Sequence, residues 1–278
     1  MFKPIIAILG LGLLGGSIAI ASRKKGIASR VVGWSHREAT RLTALEKGVI
    51  DECHPTPQEA VAKADFVILC TPVGAMPALL EMIAPKLKNG AIVTDVGSTK
   101  RSVVAAAERI LGADNKFVGS HPMAGSERSG IGAADETLFD DRLCILAPNE
   151  RTDPKTVAEV TEFWHDLGMR TTQLSPGEHD RLLADVSHLP HLLAAAMVSI
   201  QEDRAIGVAG PGFKDSTRIA AGDAALWRDI FLDNREGVIR SLDRFMAGLK
   251  DYRTALQAGD GHRIEALLAA ASERRKKM

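Results

Sequence analysis

Short apolar runs recur at intervals along the first 174 residues of the chain. Several are apolar at every position rather than at alternate ones, which is typical of strands covered on both faces of a sheet. The runs are Ile5–Leu9, Arg30–Trp34, Phe66–Cys70, Ala91–Val96, Lys116–Ser120, Leu143–Ala147 and Arg170–Leu174. We expect each run to form one strand of a largely buried sheet.

Between these runs the pattern changes to that of helices, with apolar positions recurring three or four residues apart. The helical segments are Ser17–Lys25, Glu38–Lys47, Met76–Leu87, Arg101–Leu111 and Pro154–Leu167. Regular alternation of strand and helix predicts an α/β domain of the Rossmann type, with a doubly wound and mostly parallel sheet.

After Leu174 the strand pattern stops. Apolar side chains then recur at helical spacing at Leu182, Leu183, Val186, Leu189, Leu192, Leu193, Ala196, Met197 and Ile200. Further helices are predicted at Gly222–Phe231, Arg235–Ala258 and His262–Arg274. The chain therefore divides into an α/β domain, residues 1–174, and an all-helical domain, residues 175–278. The helical domain has more Ala and Leu positions than one small bundle would bury, so we expect it to form a homodimer.

Charge and cysteine content narrow the class of protein. Lys plus Arg and Asp plus Glu number 35 each, so no global field attracts nucleic acid or an anionic membrane. The three cysteines lack any CxxC pairing, which favours a reducing compartment over a disulfide framework. No run reaches the ~20 apolar residues of a membrane span. We expect a cytoplasmic protein with no nucleic-acid or membrane partner.

A glycine motif follows the first apolar run. Ile5–Leu9 leads directly into GLGLLG, residues 10–15, and then into a helical segment. In such a motif the first glycine permits a tight turn, the second lets a pyrophosphate approach the backbone, and the third lets helix and strand pack closely. The residues predicted to bind a dinucleotide are Gly10, Gly12, Leu13, Leu14 and Gly15, with Thr71 and Pro72 after the third run.

The end of the second run bears on the choice of dinucleotide. A carboxylate there would hold the ribose 2′-hydroxyl of NAD, whereas an arginine accommodates the 2′-phosphate of NADP. Ser35, His36 and Arg37 follow this run, with Ser35 at the position of the acid. The sequence therefore favours NADP as the cofactor, with NAD as the alternative.

Two polar side chains follow later runs, at the sheet edge where ligands of open α/β sheets bind. Ser98 stands in DVGSTK and His121 stands in GSHPMAG. An imidazole beside a nicotinamide can take a proton from a hydroxyl group as hydride leaves the same carbon. The two residues predict an oxidoreductase site, with His121 as its candidate base and Ser98 close to the nicotinamide.

Five motifs together resemble the prephenate/arogenate (cyclohexadienyl) dehydrogenase family. They are GLGLLGGS, DVGSTK, GSHPMAGSERSG, EHD with VSHLPH, and DSTRIA with LW, in the family's order over nearly the whole chain. The combination of HPMAG and SHLPH is far more specific than the glycine motif. The resemblance implies an NAD(P)-dependent oxidative decarboxylation of prephenate, on the route to tyrosine, by a Rossmann domain followed by a helical dimerisation domain.

The resemblance also implies roles by position. His121 corresponds to the family's catalytic histidine, bonded to the ring hydroxyl, and Ser98 to the serine that orients that histidine or the hydroxyl. The positions that correspond to substrate-binding or pocket-lining residues are His188, His191, Arg218, Trp227 and Glu127. Arg218 corresponds to the arginine that binds a substrate carboxylate, which a guanidinium can hold through two hydrogen bonds.

The choice between prephenate and arogenate stays open, with prephenate favoured. Arogenate carries an ammonium where prephenate carries a keto group, so an acid just before EHD would favour arogenate. Ser175 occupies that position, whereas the NADP-like end of the second run favours arogenate slightly. Two further alternatives are a β-hydroxyacid dehydrogenase, which depends on a lysine in its helical domain, and a non-enzymatic dinucleotide sensor.

A metal site is the alternative for the paired histidines. His188 and His191 lie three residues apart, with Asp185 about one turn earlier. However, Pro190 between them should kink the helix, and no third ligand cluster is evident. We therefore expect no metal ion here.

Overall fold

A computed structural model describes residues 3–112, 116–126 and 128–277. Its strands are β1 Ile5–Leu9, β2 Arg30–Trp34, β3 Glu52–Cys53, β4 Phe66–Leu69, β5 Ile92–Asp95, β6 Phe117–Pro122, β7 Leu143–Ala147 and β8 Arg170–Gln173. They form an eight-stranded sheet in the order β3-β2-β1-β4-β5-β6-β7-β8. The seven expected strands are present with small shifts at their ends, and β3 is an additional strand that the sequence pattern did not reveal.

The strand order reverses at β1, which defines where a ligand can bind. From β1 the chain moves outward through β2 and β3, and then returns to place β4 on the other side of β1. Strands β1 to β6 are parallel, whereas β7 is antiparallel to β6. The mostly parallel, doubly wound sheet is thus confirmed, and its switch point lies between β1 and β4, the usual ligand-binding crevice of such sheets.

Helices cover both faces of this sheet. They are α1 Leu13–Lys24, α2 Glu38–Glu46, α3 Pro57–Val61, α4 Met76–Ile83, α5 Arg101–Leu111 and α6 Pro154–Asp166. Ile6 and Ile8 of β1 belong to the same buried cluster as Trp164 of α6, while Ala7 and Leu9 belong to the cluster that contains α4. Burial on both faces explains why the strand residues are apolar at every position.

The second half of the chain is helical throughout its described residues, as expected. Its helices are α7 Pro176–Leu183, α8 Leu189–Ser199, α9 Asp203–Gly207, α10 Pro211–Thr217, α11 Ala224–Asp233, α12 Arg235–Ala258 and α13 Gly261–Lys276. A π-helical turn, Ala184–His188, connects α7 to α8. Pro190 lies in the first turn of α8, close to the position in a helix where proline is best tolerated.

The helical stretch Pro176–Ser199 is long and apolar enough, by length and composition alone, to cross a membrane. It also carries His179, Asp180 and His188, which are buried and hydrogen-bonded within the protein. Ionisable groups satisfied by protein partners are what a core helix contains, and a lipid-facing helix rarely carries them. These contacts favour a helix packed against the rest of the protein over one that faces lipid.

Candidate active site

The turn between β1 and α1 depends on its glycines. Gly10 has a φ of +115°, and a Cβ atom there would lie 2.5 Å from the carbonyl oxygen of Cys70. A Cβ on Gly15 would lie 1.9 Å from the carbonyl oxygen of Gly10. A Cβ on Gly12 would meet nothing within 4 Å. Two glycines thus build the turn, and Gly12 leaves open space in front of the N-terminus of α1.

A cleft of about 490 Å³ opens between the carboxyl ends of β1, β4 and β5 and helix α11 of the second half. Asp223, Asp229 and Arg128 contribute charged groups to its lining. The residues singled out from the sequence that line this cleft are Gly12, Leu13, Leu14, Thr71, Pro72, Ser98 and Trp227. The free N–H groups of α1, next to the open space at Gly12, fit the pyrophosphate of a dinucleotide.

Ser35, His36 and Arg37 follow β2 and lie outside the lining of this cleft. Ser35 is buried, and its backbone carbonyl accepts a hydrogen bond of 2.6 Å from Nη1 of Arg41. His36 and Arg37 are exposed, and Arg37 precedes α2 without capping it through its side chain. This end of β2 thus exposes an imidazole and a guanidinium, whereas Ser35 is buried.

Two hydrogen-bonded side chains of the second half, His179 and Asp180, reach His121. His121 is buried at the carboxyl end of β6, and its Nδ1 lies 2.9 Å from Nε2 of His179 on α7. Nδ1 of His179 lies 2.8 Å from Oδ1 of Asp180. Because a carboxylate only accepts, His179 donates from Nδ1 and accepts at Nε2 from Nδ1 of His121. Nε2 of His121 is therefore left without a proton, as a general base requires.

Both imidazoles are held in their neutral form. Burial lowers the pKa of His121 well below its usual value, and the nearby His179, Lys100 and His188 lower it further. Burial also lowers the pKa of His179, although its hydrogen bond to Asp180 acts in the opposite direction. His121 is thus an uncharged base at neutral pH.

The carboxylate of Asp180 also connects the two halves of the molecule. It accepts hydrogen bonds of 2.7 Å from the backbone N–H of Lys100 and of 2.9 Å from that of Arg101. These groups open α5, whose first turn contains no acidic residue, so the carboxylate satisfies and stabilises that N-terminus. Burial alone would raise the pKa of Asp180, but the hydrogen bonds from His179 and from α5 hold it below its usual value.

A buried ion pair supports the same region. Nζ of Lys100 contacts the carboxylate of Asp95, and both side chains are fully buried. The carboxylate also accepts hydrogen bonds from the backbone N–H groups of Gly97, at 2.8 Å, and Ser120, at 3.1 Å. Asp95 therefore fastens the loop after β5 to β6, the strand that carries His121.

His188 is buried at the end of the π-helical turn. Its Nδ1 lies 3.2 Å from Nδ2 of Asn234, which also lies 2.6 Å from the backbone carbonyl oxygen of Asp180. Burial lowers the pKa of His188 to about 4. Within the described part of the chain, Nε2 of His188 makes no hydrogen bond of ordinary geometry.

Trp227 of α11 connects the cleft to the paired histidines. Its indole stacks on His191, with ring centroids 3.5 Å apart and planes 12° apart, and it meets His188 nearly edge-on at 6.4 Å. A Cβ on Gly222 would lie 2.8 Å from Nε1 of Trp227, so the stack requires glycine there. His188, His191 and Trp227 thus form one cluster beside the cleft.

Three other residues of the sequence analysis lie apart from this cluster or cannot be placed. Arg218 is exposed on the 3₁₀ helix Arg218–Ala221, which packs against α8, and it does not line the 490 Å³ cleft. Ser175 caps α7, with its Oγ accepting from the N–H of Glu178 at 3.3 Å, and it too lies outside the cleft. Glu127 lies outside the described residues.

Asp185 does not join His188 and His191 in a ligand set. Its carboxylate contacts Ser241 and Arg244 of α12 instead. Among the residues that the structure describes, no group of three or more His, Cys, Asp or Glu side chains is placed to hold a metal ion.

Four residues of this site were given no role from the sequence. His179 and Asp180 are part of the EHD motif, and Lys100 is part of DVGSTK. The motifs marked these residues, but nothing in them indicated that His179 contacts both His121 and Asp180. Asn234 joins α11 to α12, and no pattern marks it. Its contacts depend on how the helices are packed, which the periodicity of a single chain does not reveal.

A glycine turn at the switch point, a cleft closed by a helical domain and a neutral imidazole at a strand end define a nicotinamide-dependent oxidoreductase. The family model "Prephenate dehydrogenase, nucleotide-binding domain" matches residues 18–173, and "Prephenate dehydrogenase, dimerization domain" matches residues 175–270. The chain belongs to the prephenate dehydrogenase family, which confirms the resemblance seen in its motifs.

Individual relatives agree over most of their length. The chain is 36% identical to a prephenate dehydrogenase of Bacillus subtilis (strain 168), over 94% of this chain and 72% of that protein. It is 37% identical to a cyclohexadienyl dehydrogenase of Zymomonas mobilis, over 94% of this chain and 91% of that protein. The structure of a prephenate dehydrogenase from A. aeolicus, in complex with hydroxyphenyl propionate and NAD⁺, superimposes with a TM-score of 0.88 at 32% identity, covering 100% of this chain and 99% of that one.

Proposed function

We propose that this protein oxidatively decarboxylates prephenate to 4-hydroxyphenylpyruvate, a step towards tyrosine, with NADP as its preferred oxidant. The observation that carries the proposal is the chain from Asp180 through His179 to His121. It prepares an uncharged, buried base at the sheet edge where the nicotinamide of a bound dinucleotide lies. The similarity to relatives named for prephenate and cyclohexadienyl substrates supports the choice of substrate.

The reaction needs one base and an anchored dianion. When bound, a nicotinamide dinucleotide accepts hydride from the ring carbon that bears the hydroxyl. Nε2 of His121 accepts the hydroxyl proton as that carbon becomes a carbonyl. The bond to the ring carboxylate then breaks, its electron pair enters the ring, and carbon dioxide leaves. The phenolate oxygen takes back the proton from His121, and aromaticity supplies most of the driving force.

The remaining site residues bind and orient the substrate. Ser98, in the lining of the cleft, orients the hydroxyl or His121. Arg218 binds one of the two carboxylates, since a guanidinium matches a carboxylate in two hydrogen bonds. The cluster of His188, His191 and Trp227 forms the wall that the second half contributes. Alignment by these groups would bring the ring carbon, which donates the hydride, next to the nicotinamide that accepts it.

For the cofactor we propose NADP over NAD. The support is the end of β2, where Ser35 stands at the position of the usual ribose-binding acid and the exposed Arg37 is available to a 2′-phosphate. The double variant Ser35→Asp, Arg37→Ala should reverse the preference towards NAD, measured as the ratio of kcat/KM for the two cofactors. A wild-type protein that already prefers NAD would contradict this assignment.

Arogenate is the second candidate substrate, and one observation favours it. The carboxylates of Asp223 and Asp229 line the cleft, where either can pair with the ammonium that arogenate carries and prephenate lacks. Ser175, whose hydroxyl caps α7, lies outside the cleft, so the lack of an acid at that position says little about the choice.

One assay tests the function and the choice of substrate together. Purified protein is mixed with prephenate or with arogenate, each with NADP or NAD, and the absorbance of the reduced nicotinamide is followed. We expect the highest kcat/KM with prephenate and NADP. Turnover of arogenate alone would replace the substrate, and no turnover of either compound would refute the proposed function.

We also propose that residues 175–278 form a homodimer in the cytoplasm and that residues 1–174 bind the dinucleotide. The helical half exposes large apolar side chains that a second copy would cover, and they include Val186, Ile200, Ile239, Met246 and Leu249. Light scattering after size-exclusion chromatography should give twice the mass of the chain. A monomer at micromolar concentration would contradict the proposed dimer.

A further inference from the structure

The orientation of Asn234 follows from its two neighbours. Its Nδ2 lies 2.6 Å from the backbone carbonyl oxygen of Asp180, and a carbonyl oxygen only accepts hydrogen bonds. The atom facing it must therefore be the amide nitrogen, not the amide oxygen. The second N–H of the same nitrogen then points to Nδ1 of His188, at 3.2 Å.

This contact determines which nitrogen of His188 carries the proton. Nδ1 accepts from Asn234, so in the neutral ring the proton lies on Nε2. Nε2 of His188 is buried and has no hydrogen-bond partner among the described residues. The backbone of Ser98 interacts with His188 and raises its pKa, but it does not give Nε2 a hydrogen bond of ordinary geometry. Both Ser98 and the neighbouring Trp227 line the cleft. A buried donor without a partner is unfavourable, and a bound ligand that offers an oxygen would relieve it.

We propose that Asn234 is a positioning residue that holds His188 as the Nε2–H tautomer, and that this N–H donates to an oxygen of the bound substrate. The inference rests on the proposed function, because the substrate supplies the acceptor. The two histidines then act in opposite senses. Nε2 of His121 accepts a proton, whereas the N–H at Nε2 of His188 donates a hydrogen bond while the ring of His188 stays neutral.

The charged and titratable groups around His188 agree with a neutral ring. Burial has the largest effect on its pKa, and the nearby His179 also lowers it. The carboxylates of Asp180 and Asp233 act in the opposite direction, but the pKa still lies at about 4. His121, on β6, is neutral as well, so its ring adds no positive charge beside His188.

A pair of substitutions at His188 tests the donor directly. The amide of glutamine reaches the position of Nε2, whereas the shorter amide of asparagine reaches only that of Nδ1. With prephenate and NADP, His188→Gln should keep most of the wild-type kcat/KM, and His188→Asn should lose about tenfold more. An asparagine variant at least as active as the glutamine variant would overturn the proposal.

A substitution at Asn234 tests the positioning role. In Asn234→Asp the introduced carboxylate accepts from Nδ1 of His188, which leaves the neutral ring without a proton on Nε2. At low pH the ring becomes doubly protonated, and the Nε2 donor returns. The ratio of variant to wild-type kcat/KM should therefore fall about tenfold as pH rises through the raised pKa of His188.

The matched control is Asn149→Asp, which makes the same change of charge in a surface turn. Oδ1 of Asn149 accepts from the backbone N–H of Arg151 at 2.9 Å and from Oγ1 of Thr152 at 3.1 Å, and a carboxylate can accept both. Its ratio to wild type should not change with pH. A ratio that is likewise independent of pH for Asn234→Asp would refute the positioning role.

A measurement on the wild-type protein removes any dependence on how well the variants fold. With ¹⁵N-labelled histidine, two-bond nitrogen–proton correlations distinguish the two tautomers, and the signals missing from His188→Gln identify His188. We expect protonated Nε2 and bare Nδ1, and the opposite tautomer would overturn the inference. Failure of the proposed function would appear separately, as a wild-type protein that turns over neither prephenate nor arogenate.

Discussion

The proton chemistry of His121 depends on the side chains bonded to its Nδ1, whereas the proposed base is the other ring nitrogen, Nε2. The carboxylate of Asp180 accepts a hydrogen bond from Nδ1 of His179, so Nε2 of His179 accepts one from Nδ1 of His121. The lone pair of His121 is therefore on Nε2. The identity of the histidine makes it a candidate base, but its partners decide which nitrogen can act. Sequence motifs report the identity of a residue and leave its tautomer open.

The first residue-scale prediction concerns the base itself. His121→Asn should lower kcat for prephenate by about 10²- to 10⁴-fold, because an amide cannot accept the hydroxyl proton. KM should change little, since the proposed carboxylate anchor, Arg218, is left intact. Steady-state kinetics with NADP measure both constants. His165→Asn, an exposed substitution on α6, is the control, and an unchanged kcat for His121→Asn would remove His121 from the mechanism.

The pH dependence follows from the direction of the pKa shift at His121. The base must be neutral, and its pKa in the folded protein lies well below 6.5 because the ring is buried. Activity should therefore persist as pH falls through 6.5 and be lost only below the lowered pKa. Profiles of kcat/KM in the wild-type protein measure this limb. A half-maximal value at or above pH 6.5 would show that a different group limits the reaction.

At the scale of elements, periodicity located the strands well because their burial is extreme. β1, β2 and β7 begin and end where the apolar runs do. The two-residue β3 could not be recognised, since Glu52–Cys53 has no pattern of its own and pairs only with β2. The start of α1 was placed at Ser17 but lies at Leu13, because Gly15 and Gly16 interrupt the apolar spacing without interrupting the helix.

The helix α5 depends on an anion that comes from another element. Asp180→Ala should lower the free energy of unfolding by about 1–2 kcal/mol, because two N–H groups at the start of α5 lose their acceptor. It should also lower kcat, because His179 loses the partner that orients it. Urea unfolding followed by circular dichroism gives the first quantity, and steady-state kinetics give the second.

The control for this substitution is Asp185→Ala, five residues further along the chain and outside the hydrogen-bonded series of His121, His179 and Asp180. Asp185 pairs with Arg244, a largely exposed side chain, so its loss should change stability by less than about 1 kcal/mol and leave kcat unchanged. Equal effects of the two variants on stability and kcat would contradict the claim that Asp180 stabilises the start of α5 and orients His179.

At the scale of the whole molecule, the two halves supply different parts of one site. The first half provides the dinucleotide turn and His121, and the second provides His179, Asp180 and the cluster around Trp227. The alternation of strand and helix patterns allowed the fold to be predicted, and the motifs allowed the family to be predicted. The contacts between the halves could not be predicted. The EHD motif and GSHPMAG are more than fifty residues apart, and no local sequence pattern indicates that they meet.

Arg218 gives a prediction at this scale, because the proposed carboxylate anchor is exposed on the helical half and lies outside the lining of the cleft. Arg218→Ala should raise KM for prephenate by about ten- to a thousandfold with a smaller effect on kcat, since a carboxylate loses its two-bond partner. Arg218→Lys should recover only part of the loss, because an ammonium lacks the planar geometry of a guanidinium. Unchanged KM values in both variants would exclude Arg218 as the anchor.

The hydrogen bond between His121 and His179 has an evolutionary consequence. Rossmann domains serve enzymes of many unrelated functions, but here the proton of His121 is held on Nδ1 by a residue of the other module. A graft of the first half onto an unrelated partner would inherit nucleotide affinity and lose its acid–base chemistry.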